Sequence, residues 1–269
     1  MSFVFIGELF MKTLICVFAI LSAFPASAFA QYVGVMKGTI HGAIVTYKNS
    51  TEVRVTSGYG ETNKSYWEIS SYVDVDLSAV LPSGPDYVYI YIDDSASVYP
   101  APTIIGSTDE PVWADEKQGW YRTTTGNEGD RCIGAVWSPS GSATILEFTS
   151  YEDAAYIVKD AETGIAHLID GGNPDGSLQS ISAADYTPVN AVGAYSLVSN
   201  SDSGDYVIVG VCSADNTVQC LVTSGHSAQV HIKGWLQFEK NGNRDLVWFG
   251  EDNDNNAANF RIYGYKLNR

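Results

Sequence analysis

The chain has 269 residues, with 15 Lys plus Arg against 31 Asp plus Glu, a formal charge of −16. A field of that sign repels polyanions and anionic membrane surfaces, which excludes a general nucleic-acid binder. Hydrophobic residues at 45% against 17% charged supply a core, and 17 Tyr and 25 Gly beside 3 Met favour strands and turns over helices.

The first expected element is an export signal. Lys12 precedes an apolar run from Leu14 to Phe24, followed by Pro25 and the small-residue frame Ala28-Phe29-Ala30. A charged start, a short apolar centre and an A-x-A end are the three parts of a secretory signal peptide, and the run is too short to span a bilayer comfortably. Met11 is the expected start, so 1–30 comprises an upstream extension plus the signal, with cleavage after Ala30. The mature chain is then secreted, to a periplasmic or extracellular place, with no membrane insertion after cleavage.

Period-two alternation predicts strands over 43–47, 52–56 and 72–77, then a single helical turn at 77–81 and a Pro82-Ser83-Gly84-Pro85 turn. Tyr87-Val88-Tyr89-Ile90-Tyr91-Ile92 is the clearest strand, with Tyr87, Tyr89 and Tyr91 on one side and aliphatics on the other. That ladder can stack sugars on an outer face, or pack against a neighbouring domain or subunit, where amphipathic Tyr is well suited. Trp113, Trp120 and Tyr121 follow among Pro, Gly and charged residues, as loop aromatics would. They form the first-choice platform for a ligand, because sugar rings present flat C–H faces that stack on aromatic rings, while carboxylates and amides take the hydroxyl hydrogen bonds. The alternative is that Trp120 and Tyr121 begin a strand and plug the end of a sandwich. Strands over 132–137, 144–148 and 156–159 come next, and the apolar setting of Cys132 points to a buried thiol.

The second half repeats the style. A single helical turn is expected at 182–186, with strands over 195–198, 206–211, 229–232, 235–238, 246–249 and 260–265. Cys212 and Cys220 flank seven residues that read as a hairpin turn, which makes them a candidate disulfide in an oxidising compartment. Glu251 to Asn256 packs carboxylates and amides together, and Asp252, Asp254 and Asn256 at alternate positions form a candidate calcium site. The EF-hand frame fails there, since its Gly position is Ala257 and its terminal Glu position is Tyr263. Asp170 to Asp175 is a second oxygen-rich loop, and no other cofactor is implied.

Many short strands without intervening helices indicate an all-β fold of antiparallel sandwiches or barrels. An internal echo favours two units. Gly119-Trp120, Arg131 and Val136-Trp137 are matched in order by Gly234-Trp235, Arg244 and Val247-Trp248, and Asp86-Tyr87-Val88 by Asp205-Tyr206-Val207. The expected architecture is therefore two tandem antiparallel β-sandwich domains of jelly-roll type, 31–152 and 153–269, after the signal peptide.

The segments Lys117-Gln118-Gly119-Trp120-Tyr121, Gly129-Asp130-Arg131-Cys132-Ile133-Gly134-Ala135-Val136 and Gly141 to Phe148 resemble a pattern of phage and prophage tail-fibre-type structural proteins. The preceding Tyr-rich strand and the closing Phe260-Arg261-Ile262-Tyr263-Gly264-Tyr265 are similar to the same group. The resemblance implies β-sandwich modules for surface recognition, often trimeric. A signal peptide departs from that pattern, because tail fibres assemble in the cytoplasm.

Three functions follow from these features. The first is an exported, non-catalytic binding or adhesion protein whose partner is a glycan or other cell-surface ligand. The second is a structural assembly subunit, tail-fibre-like and trimeric, that buries its Tyr and Trp faces against copies of itself. The third is a polysaccharide hydrolase or lyase, for which Asp93, Asp94 and Glu147 are the carboxylates on offer. No G-x-S-x-G, H-E-x-x-H, Walker or dinucleotide fingerprint is present, so the expectation is no enzyme.

Overall fold

A computed structural model describes residues 38–62, 66–94, 101–139, 143–151, 155–158, 165–172, 179–200, 207–213, 220–225, 230–238, 244–250 and 258–269. The signal segment, the 251–256 loop with Asp252, Asp254 and Asn256, and residues 173–175 lie outside the described residues. In chain order the strands are β1 (Ile40–Gly42), β2 (Val45–Asn49), β3 (Glu52–Val55), β4 (Gly58–Glu61), β5 (Tyr66–Ile69), β6 (Val73–Asp76) and β7 (Asp86–Asp93). Then come β8 (Thr103–Ser107), β9 (Pro111–Ala114), β10 (Gly119–Arg122), β11 (Arg131–Ser138), β12 (Phe148–Tyr151), β13 (Ala155–Val158) and β14 (Ala166–Gly172). The last are β15 (Gln179–Ser182), β16 (Ala191–Asn200), β17 (Val207–Ser213), β18 (Cys220–Gly225), β19 (Val230–Gln237), β20 (Asp245–Gly250) and β21 (Ala258–Leu267).

The all-β class with antiparallel pairing is thus what the chain adopts. The sheets run β1-β4-β5, β2-β3-β6, β8-β7-β11-β10-β9, β12-β13-β21-β16-β19 with β14 also on β21, and β15-β20-β17-β18. Both expected helical turns are present. Val80 and Leu81 donate their N–H groups to Leu77 O, and a short 3-10 turn spans Ala184–Tyr186. No helix among the described residues is long and apolar enough to cross a membrane.

The five-stranded sheet is a middle layer. On one side a Cβ at Gly106 would meet Leu77 and Val80, and one at Gly134 would meet Val45, so the N-terminal strands lie directly against it. On the other side Tyr87 donates its hydroxyl to Tyr186 O at 2.9 Å, and Val189 N–H donates to the Tyr89 hydroxyl at 3.3 Å. Tyr265 reaches the same layer, donating to Ala135 O at 2.8 Å. One apolar core accordingly joins Val45, Tyr89 and Ile133 with Tyr156, Phe260 and Tyr265, from both sides of the expected 152/153 boundary. That boundary falls between β12 and β13, which pair with each other, and Lys37–Arg269 makes one compact unit. The internal echo is partial in the pairing. β7 with β11 and β17 with β20 are both antiparallel pairs, whereas β10 pairs β11 and β19 lies in a different sheet from β20.

The five-stranded sheet also curls. Its edge strands β8 and β9 are joined by residues 108–110 alone, a link that spans at most about 14 Å between Ser107 and Pro111. Four strand spacings laid flat would need about 19 Å. The edges must approach at that end, and side chains bridge them.

Candidate functional site

The sequence places Trp113 and Trp120 on either side of a charged turn, and the fold turns that segment into a hairpin. β9 and β10 pair with Trp120 directly opposite Trp113, so the two indoles share one face at the open edge of the sheet. Their rings meet edge to face, centroids 5.8 Å apart, the arrangement the aromatic quadrupole favours. Trp113 donates its indole N–H to Asp115 Oδ1 at 2.7 Å, and both indoles are half-buried. These residues lie on paired strands and not in a loop, because the alternation around them is too short to stand out from Pro111, Gly119 and the acidic turn.

Tyr121 does not join them. Successive residues of a strand point to opposite faces, so Tyr121 sits on the reverse side, buried against Arg131 at 5.1 Å and Lys117 at 4.8 Å from its ring. The Tyr87, Tyr89 and Tyr91 ladder is likewise corrected to core, at 4%, 1% and 0% exposed. Its face is the one covered by residues 186–189 and Tyr265, so no ring of the three is open to a ligand. Desolvation raises the hydroxyl pKa of each. The expected buried thiol is found: Cys132 is fully buried, and desolvation pushes its pKa up to about 12.

Arg122, two residues beyond Trp120 on the same face, clasps the curl. Its Nε donates to Asp109 Oδ2 at 2.7 Å and its Nη2 to Ser107 Oγ at 3.0 Å, while Nη1 lies 3.5 Å from Asp130 Oδ2. Thr124 donates to the same Asp109 oxygen at 2.6 Å, and Tyr91 donates to Asp109 O at 2.5 Å. Beside this seam runs an open groove of about 650 Å³, lined by Leu81, Pro82, Asp86, Ser107, Thr108 and Arg122 among others. Trp120 packs partly against the core, with its indole N–H buried, and Trp113 stands on it towards the sheet edge, while the groove supplies hydroxyls, a carboxylate and a guanidinium edge.

At the end of β7, Asp93, Asp94 and Asp130 each bring one carboxylate oxygen within 4.8 Å of the others. That is the span of opposite ligands around a cation held at about 2.4 Å, and three carboxylates are the donors a hard ion such as calcium takes. Asp130 is fully buried and accepts Asp94 N–H at 3.1 Å. Desolvation first, then the neighbouring Asp93 and Asp94 charges, raise its carboxyl pKa against the opposing pull of hydrogen bonds from Asp94 N–H and Arg122. Asp109 is shifted the other way by hydrogen bonds from Thr124 and Arg122. Asp130 therefore protonates at a higher pH than Asp109. Ionisation of Asp130 opposes folding as pH rises through its raised value, whereas Asp109 contributes stability that is lost as pH falls through its lowered one. Carboxyl carbon NMR titration checks this order, and a higher midpoint for Asp109 than for Asp130 contradicts it.

Of the remaining sequence candidates, Glu147 lies exposed just before β12. The backbone register of β17 and β18 sets Cys212 directly opposite Cys220. Facing residues of antiparallel strands have Cα atoms about 4.5 or 5.5 Å apart, within the range a disulfide spans. The alternation also missed a row of rings, exposed at His41 and Tyr59 and half-buried at Tyr66, because each sits on a strand of only three or four residues.

No protein-family model matches the chain, and no curated protein matches it in sequence. Among solved structures it is similar to the N-terminal CBM22-1–CBM22-2 tandem domain of Xyn10C from Paenibacillus barcinonensis, at 9% identity over 83% of this chain and 79% of that one. The TM-score is 0.17, a likeness that carries no inference about ligand.

Proposed function

We propose that the protein is an exported, non-catalytic binding protein that takes a glycan on the β9–β10 hairpin and the groove beside Arg122. The observation that carries this reading is the Trp113–Trp120 pair, facing across the β9–β10 hairpin at a sheet edge, with Arg122 of the groove two residues beyond Trp120 on the same strand face. Stacked indoles gain from the C–H faces of a sugar, and Asp86, Ser107 and Thr108 offer partners for its hydroxyls. Export rests on the signal segment, and the candidate calcium loop at 252–256 remains an expectation from sequence. The assembly-subunit reading would have used the Tyr87, Tyr89 and Tyr91 face, which the chain itself covers.

Binding of the mature protein to dextran, mannan and laminarin, measured by affinity electrophoresis and calorimetry, tests the reading. Trp113→Ala and Trp120→Ala are each expected to weaken binding about tenfold, the equivalent of roughly 1.4 kcal/mol. No binding to any member of a broad polysaccharide panel would remove the glycan reading. Release of reducing or unsaturated ends from the panel would replace it with a hydrolase or lyase.

A further inference from the structure

We propose that Asp93, Asp94 and Asp130 hold a calcium ion that locks the end of β7 to the turn entering β11. The site stands on residues outside the Trp hairpin, the groove lining and the 252–256 loop, so it does not depend on the glycan reading.

Strand register brings the three carboxylates together. Arg131 stands opposite Ile92 in the β7–β11 pairing, so the residue just before β11 meets the two that follow Ile92. One oxygen of each lies within 4.8 Å of the others, a range at which like charges repel. Asp94 is 4% exposed and Asp130 0%, and a buried carboxylate persists only when it is paired, protonated or coordinated. Arg122 does not meet that need. Its short bonds go to Asp109 at 2.7 Å and Ser107 at 3.0 Å, and its Nη1 stays 3.5 Å from Asp130 Oδ2. Asp130 Oδ1 accepts Asp94 N–H, but Oδ2 is buried with no donor in hydrogen-bonding geometry. A fully buried acceptor left open beside two further carboxylates is the feature that points to a cation.

The backbone is shaped to this cluster. A Cβ on Gly129 would lie 1.5 Å from Asp94 Oδ2, so a glycine next to Asp130 is what lets the Asp94 carboxylate settle there. The donors are all oxygen, which selects a hard ion over zinc or copper. A span of up to 4.8 Å matches twice a calcium–oxygen distance of about 2.4 Å and exceeds twice the roughly 2.1 Å that magnesium requires. Asp93 is half-buried, which leaves the cluster open to water, and water completes a calcium shell of about six to eight oxygens. With Asp130 held by the ion, Arg122 is left to Asp109 and Ser107, so calcium braces the same curl that the arginine clasps.

The test uses the whole mature protein stripped with EDTA, then given calcium chloride or magnesium chloride at equal concentration and followed by titration calorimetry and thermal melts. Calcium is expected to raise the melting temperature by about 4 °C or more, and magnesium by less. Asp93→Asn and Asp94→Asn are each expected to weaken calcium binding at least about tenfold, through loss of a charged ligand. Asp252→Asn/Asp254→Asn is expected to leave one calcium bound with unchanged affinity. Neither heat nor a change in melting on adding calcium to the wild-type chain overturns the site. Unchanged calcium binding by a folded Asp93→Asn protein overturns the assignment to this cluster, as does loss of all binding in Asp252→Asn/Asp254→Asn. Asp93→Asn, at the half-buried rim, carries the test by itself where Asp94→Asn fails to fold. Tighter binding of magnesium than of calcium overturns the choice of ion.

Discussion

Replacing Trp67 by alanine lowers the unfolding free energy by about 3–5 kcal/mol, the range for deleting a large aromatic from a closed core. Trp67 is 0% exposed and lies under the three short strands at the N-terminal side of the unit. Those strands have three or four residues each, so their pairing supplies little on its own. The indole is what they rest on, and Gly60 makes the approach close enough that nothing nearby can fill the space it leaves. Trp67→Phe is expected to cost much less, because it keeps most of the ring volume while relieving an indole N–H that is buried without a hydrogen-bond acceptor. Urea unfolding of the two variants checks the pair, and equal losses would show that the ring's bulk is not what matters.

The second large effect is a coupling between Gly119 and Arg131. Arg131 is fully buried, donating from Nη1 to Gln118 O at 3.3 Å and from Nη2 to Gly38 O at 2.7 Å, with its guanidinium 5.1 Å from the Tyr121 ring centre. A Cβ on Gly119 would lie 1.0 Å from Nη1, and a guanidinium tied to two carbonyls has no free rotamer to escape into. Gly119→Ala is therefore expected to cost about 3 kcal/mol, the upper range for overpacking a filled interior. Arg131→Ala alone is expected to cost about 2–4 kcal/mol, through two charge-assisted hydrogen bonds and the cavity left behind. Together the substitutions should cost little more than Arg131→Ala alone, because the space Gly119 needs is vacated. A double-mutant cycle from denaturant curves measures this, and simple additivity would refute the clash.

The sequence made the strands more legible than their neighbours. Tyr87 to Ile92 alternates cleanly, and β7 forms there, but alternation says only that tyrosines and aliphatics part company. It does not say that both faces are covered, which depends on Leu77 and Val80 just upstream and on Tyr265 far along the chain. The strands expected at 229–232 and 235–238 are one strand, β19. Lys233-Gly234 reads as a break, yet Leu197 and Ser196 of β16 pair straight across it. Trp113 and Trp120 were recognisable as aromatics of interest, while their cross-strand meeting is a property of the β9–β10 register. Gly58-Tyr59-Gly60 has the composition of a turn, which hides Tyr59 from any reading that looks for strands first. Asp130 stands in the sequence as one residue of a strand motif, and it is the pairing of Arg131 with Ile92 across β11 and β7 that brings it to Asp93 and Asp94.

The six-stranded sheet has its final strand in sequence at its centre. β21 pairs with β13, β14 and β16, so residues 258–267 hold three otherwise separate strands. Contacts of such long sequence separation form late, since the intervening chain must be closed into loops first. During synthesis, β13, β14 and β16 have no shared partner until residues 258–267 emerge, and the chain up to that point has no finished version of this sheet. Removal of β21 would therefore leave an open set of strand edges instead of a smaller stable protein, exposing unpaired backbone that invites association between copies.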